Sequence, residues 1–154
     1  MDNNFSTLGK YVSIFDRLMK MYYDRGLSEY EIGWGQQFYV EYLYEHPGAS
    51  PQEMAKQFRV DKATLTKIIK KLTAIDYLEI IGDEKDRRMK HLYLTQKAYP
   101  AAMQIKQVHA DFYRTIKSGI SPEDLRFTEQ ILQQMIQNLS QKVRHKMEEH
   151  HEEQ

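Results

Sequence analysis

A chain of 154 residues with 41% hydrophobic content suits one folded domain with a real core, or a small domain plus an association element. It holds no cysteine, which excludes disulfides, thiol catalysis and cysteine-based redox sensing. Lys and Arg number 22 and so do Asp and Glu, so a nucleic-acid site has to come from local charge and not from the chain as a whole.

The first residues, Met1 to Ser6, are polar, with no basic stretch ahead of an apolar run. No apolar run approaches the roughly 20 residues that span a bilayer. The expected location is the cytoplasm, with no membrane partner.

Phe5, Leu8, Val12, Phe15, Leu18, Met19 and Tyr22 recur at helical spacing and predict a helix to about Tyr23, with Ser6 and Thr7 in its cap region. Residues 24–35 hold Gly26, Gly33 and Gly35 and read as irregular. Gln36 to Tyr44 predicts a second helix, rich in Phe and Tyr, stopped by His46-Pro47-Gly48. Ser50-Pro51-Gln52-Glu53 is a helix start, with a capping serine, proline at the first helical position and glutamate at the capping-box position. Met54, Ala55 and Phe58 give that short helix its buried face. After Phe58-Arg59-Val60 another helix opens, with Asp61 or Thr64 near its N-terminus. Two short helices across so tight a connection make a helix-turn-helix pattern.

Tyr77–Ile81 and Met89–Leu94 read as strands, and Gly82–Arg88 as the hairpin loop between them. Thr95 can cap the next helix, which Pro100 either begins or kinks, and which carries Ile105, Val108, Phe112 and Ile116 as its stripe. Gly119 ends it, and Ser121-Pro122-Glu123-Asp124 repeats the serine-proline start. Leu125, Leu132, Met135, Leu139 and Val143 stripe a final long helix before the charged tail 145–154.

Residues 61–74 carry the chemistry. On a helical wheel Leu65, Ile68, Ile69 and Leu72 fall together and face the core, while Ala63, Thr66, Lys67 and Lys70 fall opposite. Thr64 and Lys71 lie on one flank and Lys62 on the other. No acid stands between Lys62 and Leu72. Small and hydroxyl side chains let a helix approach base edges, and lysines neutralise phosphates. A solvated amphipathic helix with several lysines would look the same on its own; the preceding helix, the tight turn and the hairpin favour DNA. In the hairpin, Arg88 suits a minor groove, whose negative potential attracts arginine, with Arg87 beside it and Asp86 placed to orient the guanidinium. A plain charged turn is the competing account.

Glu45-His46-Pro47-Gly48, Gln52-Glu53-Met54-Ala55, Val60–Lys67, Asp86-Arg87-Arg88 and Leu92-Tyr93-Leu94-Thr95, in this order and with two helices on either side, resemble the MarR family of bacterial transcription regulators. The resemblance implies a mainly α fold with a small β wing: a winged helix-turn-helix with N- and C-terminal dimerisation helices. Residues 1–154 would be one such domain, with 1–32 and 99–147 as dimerisation helices, 36–95 as the DNA-binding region and 148–154 as a frayed tail. It implies a homodimer on a double-stranded DNA operator that is pseudo-palindromic, acting as a repressor. Three positions depart from the pattern. Ile81 stands where many members carry arginine, Ala98 where glycine is frequent, and Gly33-Trp34-Gly35 where a threonine usually leads the second helix.

Many members bind a small aromatic or anionic effector near the joint between the two regions. Tyr11, Phe15, Trp34, Phe38 and Tyr42 are the candidates to line such a cleft, although aromatics at helical spacing also serve as core. Asp24, Glu45, His46 and His109 loosely resemble zinc-sensing relatives, but no His-x-x-x-His pair occurs around His109, where Tyr113 stands instead. No metal and no cofactor is expected, and His145, His150 and His151 fit a solvated tail. With no glycine-rich phosphate loop and no Ser-His-acid arrangement, an enzyme is not expected. A metal-responsive regulator of the same fold and a winged-helix scaffold that binds protein instead of DNA are the alternatives.

Overall fold

The computed structural model describes residues 4–152, with side chains described for 7–143. The side chains of Phe5, Ser6, His145, His150 and His151 lie outside the described residues. Six α-helices and one two-stranded antiparallel sheet occur among the described residues. They are α1 (Asn4–Leu27), α2 (Trp34–Glu45), α3 (Pro51–Phe58), α4 (Lys62–Ala74), β1 (Leu78–Gly82), β2 (Lys90–Leu94), α5 (Tyr99–Ile116) and α6 (Pro122–Glu152). The chain divides into two compact units, one ending at Phe112 and one beginning at Tyr113. None of the helices is long and apolar enough to cross a membrane among the described residues.

The first unit is built on a core of Tyr23, Leu27, Val40, Leu43, Met54, Leu65, Leu72, Leu92 and Ile105, all nearly or fully buried. This core corrects the reading of 24–35 as irregular. α1 continues to Leu27, because Tyr23 and Leu27 are buried and their packing outweighs the cost of about 1 kcal/mol for Gly26 inside a helix. A 3₁₀ turn, Ser28–Tyr30, follows, and α2 already begins at Trp34. Its start needs no capping side chain of its own. The Asp24 carboxylate, ten residues back, accepts the Trp34 N–H at 2.8 Å, and Gln36 Oε1 accepts from the Gly33 N–H. A Cβ on Gly33 would come within 2.1 Å of Asp24 Oδ1, so the chain is closely packed here although its glycines read as irregular. Ser6 and Thr7 do not start α1, which is already helical at Asn4.

α3 forms as its sequence dictates. Ser50 Oγ accepts the Glu53 N–H and Glu53 Oε2 accepts the Ser50 N–H, closing a capping box with Pro51 at the first helical position. Arg59 then turns the chain in the left-handed region, φ 51°, and Asp61 caps α4 by accepting the Thr64 N–H at 2.7 Å. In α4, Leu65 and Leu72 are buried and Ile68 and Ile69 are half-buried against the same core.

β1 and β2 pair from Leu78 with Leu94 to Gly82 with Lys90. On the other edge of β2 the Gly48 N–H donates to the Leu92 carbonyl, and the Leu92 N–H donates to the Ala49 carbonyl. The wing is thus tied to the turn that ends α2. Thr95 does not cap with its side chain. Its hydroxyl donates to the Asp76 carbonyl at 2.6 Å and joins the two ends of the wing segment. Pro100 begins α5 as its second residue.

In the second unit, Gly119 turns the chain with φ +76° and Ser121 caps α6 by accepting the Asp124 N–H at 3.0 Å. Along α6, Phe127, Ile131, Leu132, Met135, Ile136, Leu139 and Val143 remain exposed.

Gln37 of α2 is fully buried, and neither end of its amide has a hydrogen-bond partner. An unpaired buried amide costs about 1–3 kcal/mol. Gln37→Met keeps the shape and removes the polar atoms, so a gain in unfolding free energy of about 1 kcal/mol is expected. Urea denaturation measures it, and a loss of stability would show that the amide is satisfied in solution.

Candidate nucleic-acid interface

α4 separates its residues by chemistry. Lys62, Ala63, Thr64, Thr66, Lys67, Lys70 and Lys71 are all exposed, whereas Leu65 and Leu72 are buried. Asp61 caps the N-terminus of this helix. The Thr64 N–H it accepts holds its carboxyl below the usual carboxylate range. The cap therefore stays ionised and in place well into mildly acid solution.

An open groove of about 530 Å³ lies between α3, α4 and the wing. Lys62 and Thr66 line it from α4, Ile80 from β1, and Arg88 and Lys90 from the hairpin, over a floor that includes Leu65 and Leu92. Gln52 of α3 lines it as well. Gln52 and Lys90 were not among the residues picked from sequence. The available signal for Gln52 was its place, one residue into a capped helix just ahead of the turn. Ala63, Thr64, Lys67 and Lys70 stand on α4 outside the groove lining.

Three placements refine the sequence reading. The Thr66 hydroxyl donates to the Lys62 carbonyl at 2.7 Å, so its methyl and its acceptor lone pairs are what it can offer a partner. Lys71 Nζ donates to Gln36 Oε1 at 3.1 Å and is engaged with α2. Asp86 does not grip the Arg88 guanidinium. Its Oδ1 accepts the Arg88 backbone N–H at 3.0 Å, so it shapes the chain at the hairpin tip. Arg87 is exposed beside it.

Asp83 is the hub of the hairpin loop. Oδ1 accepts the N–H groups of Lys85 and Asp86, and Oδ2 faces His91 Nε2 at 3.1 Å. These contacts, the Lys85 N–H first, hold its carboxyl below the usual range. The other nitrogen of His91, Nδ1, lies 2.9 Å from the Gly48 carbonyl. That carbonyl first, and Asp83 next, raise the His91 pKa above the ordinary histidine value.

The five aromatic candidates divide. Trp34 and Phe38 meet edge to face at 4.8 Å, Phe38 lies against Phe58, and Tyr42 meets Phe58 at 5.5 Å and stacks on His46. Trp34 also touches Tyr23, which touches Phe112, and Phe112 packs on Phe15. Trp34, Phe38 and Tyr42 are thus one row, Phe15 joins it through intermediaries, and Tyr11 is exposed on α1. His109 sits inside this row, with Tyr23 Oη 2.5 Å from Nδ1 and Glu41 Oε2 3.0 Å from Nε2. Asp24, His46 and His109 each face a different partner. Among the described residues no three His, Asp or Glu side chains converge as a metal site.

A short helix, a tight turn, an acid-free basic helix and a two-stranded wing make a winged helix-turn-helix. Residues 32–90 match the sequence model described as the MarR family. Over that segment the chain is similar to the MarR family of transcriptional regulators. An HTH-type transcriptional regulator of Clostridioides difficile (strain CD3), BilQ, is 25% identical over 122 residues, 79% of this chain and 82% of that protein. The crystal structure of a MarR transcriptional regulator from Methanosarcina mazei Go1 matches with TM-score 0.74 and 26% identity, covering 88% of this chain and 98% of that one. The S. aureus MepR–DNA complex matches in fold with TM-score 0.79 at 20% identity, over 84% of this chain and 96% of that one. The matched family model and the curated relative are both those of transcriptional regulators.

Proposed function

We propose that this protein is a MarR-type regulator, a homodimeric repressor that binds a pseudo-palindromic DNA operator and blocks promoter access. One observation carries the reading: Lys62 and Thr66 of the acid-free helix α4 and the wing arginine Arg88 border the same concave groove. A helix fits the major groove and an arginine the adjoining minor groove. Ala63, Thr64, Thr66 and Lys67 approach base edges, Lys62 and Lys70 contact phosphates, Lys71 joins them on release from Gln36, and Arg88 probes the minor groove on a loop shaped by Asp86. Residues 36–95 are the reading head.

Residues 1–32 and 99–147 form the dimer. Support comes from two uncovered apolar faces within one chain, Leu8, Val12, Phe15 and Leu18 on α1 and the row from Phe127 to Val143 on α6. Exposed apolar stripes of this size mark association surfaces. A two-fold dimer presents two heads to half-sites about one helical turn apart. The site of action is the compartment that holds the DNA, the cytoplasm. A small aromatic or anionic effector acts at the row of Trp34, Phe38 and Tyr42, where α1, α2 and α5 meet the reading head.

The test is a selection of duplexes from a randomised pool, followed by titrations at several salt concentrations. Affinity should fall steeply with salt, and the enriched site should be an inverted repeat. A protein scaffold would enrich nothing. Within the enriched site, alanine at Thr66 or Lys67 should change which bases are preferred, whereas alanine at Lys70 should lower affinity evenly across sequences. Even losses for all three would remove base readout from α4.

A further inference from the structure

His91 lies on β2, between the body of the reading head and the tip of its wing. Its two ring nitrogens face two acceptors, the Gly48 carbonyl at 2.9 Å and Asp83 Oδ2 at 3.1 Å. A carbonyl can only accept, and an ionised carboxylate can only accept. Both contacts are hydrogen bonds together only when both nitrogens carry protons, that is, when the ring is the imidazolium. A neutral ring keeps one proton and sets a lone pair against the other oxygen.

Each acceptor is fixed by its own surroundings. Gly48 has φ +85° and its N–H donates to the Leu92 carbonyl, so the carbonyl belongs to the rigid turn after α2. Asp83 holds the N–H groups of Lys85 and Asp86 with its other oxygen, and its own N–H donates to the Met89 carbonyl. Asp86 in turn holds the Arg88 N–H. A continuous line of hydrogen bonds therefore runs from Gly48 through His91, Asp83 and Asp86 to the backbone of Arg88.

We propose that His91 and Asp83 form a protonation-dependent clasp that positions the wing tip, and Arg88 with it, for DNA. The inference rests on the DNA reading given above. The charged groups acting on the ring are Asp83 from the hairpin loop and Glu53 from α3, both acidic and both favouring the cation. The largest single cause is the Gly48 carbonyl, and together these outweigh partial desolvation. The sign follows. A histidine whose pKa is raised by its partners contributes its hold fully below the ordinary value of about 6.5, and loses it as pH climbs through the raised value. DNA binding should accordingly be tighter on the acid side and should slacken through neutral and mildly alkaline pH.

Asp83→Asn separates this clasp from a structural role. Its amide oxygen can still accept from Lys85 and Asp86, while its NH2 can donate to Nε2 of a neutral His91 that keeps its proton on Nδ1 for Gly48. The clasp then closes without charge. The experiment uses the full chain and an end-labelled duplex enriched by the wild-type protein, at constant ionic strength from about pH 6 to about pH 8.5. Histidine ring resonances are followed by NMR in the same buffers, with His91 assigned from the His91→Gln spectrum.

Wild-type affinity should fall about fivefold or more across this range, and Asp83→Asn should flatten the profile to within about twofold. The His91 midpoint should lie above that of an ordinary histidine and drop in Asp83→Asn. A profile in Asp83→Asn parallel to the wild type would overturn the clasp, since a direct contact of His91 with phosphate would survive that change. An ordinary His91 midpoint in the wild type would overturn it too. If the wild type binds no duplex at any pH, the DNA reading fails and the positioning role with it, whereas a raised His91 midpoint would still report the contact between ring and carboxylate.

Discussion

Leu139→Glu is expected to convert the protein into a folded monomer that no longer holds duplex tightly. Leu139 is 66% exposed in the single chain, so the substitution removes little packing from its own unit. In the dimer proposed here the same side chain is buried twice, once per subunit. Burying a leucine contributes about 1.5–3 kcal/mol. Two lost leucines, with two carboxylates to desolvate, raise the dimer dissociation constant by at least about a hundredfold. A monomer engages one half-site at a time and loses the gain from linked heads, so duplex affinity should fall by about a hundredfold or more. Analytical ultracentrifugation at micromolar concentration reads the mass, and circular dichroism checks the helices. A wild-type monomer, or an unchanged dimer in the variant, would remove α6 from the interface.

Arg88→Ala should leave the dimer and its thermal stability intact and weaken duplex binding. Arg88 is exposed at the border of the groove, and only its backbone N–H is engaged, by Asp86. Removing one DNA-contacting arginine costs about 1–3 kcal/mol, and a two-fold dimer loses it twice, which gives about thirtyfold even at the low end. The slope of log affinity against log salt should become shallower by about 1 for each arginine removed. Salt-controlled anisotropy titrations measure both quantities. Unchanged affinity and slope would take the wing out of the interface, and Lys90 on the same groove would be the next residue to test.

Much of the architecture is legible in the residues because it rests on short-range rules. The start of α3 is written in Ser50, Pro51 and Glu53, since a capping box closes across three residues. The face of α4 follows from helical period alone, and Leu65 and Leu72 are buried as that period requires. The wing strands lie within one residue of where the alternation of apolar and polar positions puts them. The extent of α1 and the start of α2 were misjudged for the converse reason. Three glycines argue locally against helix, while the burial of Leu27 and the Asp24 cap depend on partners that no short window contains.

The candidate site divides in the same way. Its ingredients are local: an acid-free run of lysines and threonines, and an arginine at a hairpin tip. Which of them share a groove is not local. Lys62, Thr66 and Arg88 border one concavity with Gln52 and Lys90, while Lys71 is drawn back to Gln36. The role of Asp86 also changed, from a partner of the guanidinium to a support for the backbone, because a carboxylate two residues away reaches an N–H more readily than the end of a long side chain.

By itself the sequence determined the winged helix-turn-helix, the absence of thiol chemistry and the basic character of the reading helix. Periodicity, capping and composition act over a few residues and need no partner. Only the tertiary structure decided that Asp24 caps α2, that Gln37 is buried without a partner, and that His91 bridges Gly48 and Asp83. Gly48 and His91 are 43 residues apart in the chain, and their hydrogen bond exists because β2 is laid against the turn that ends α2. Contacts of that kind follow from where whole elements pack, and packing is set by the burial of the entire core and not by any one segment.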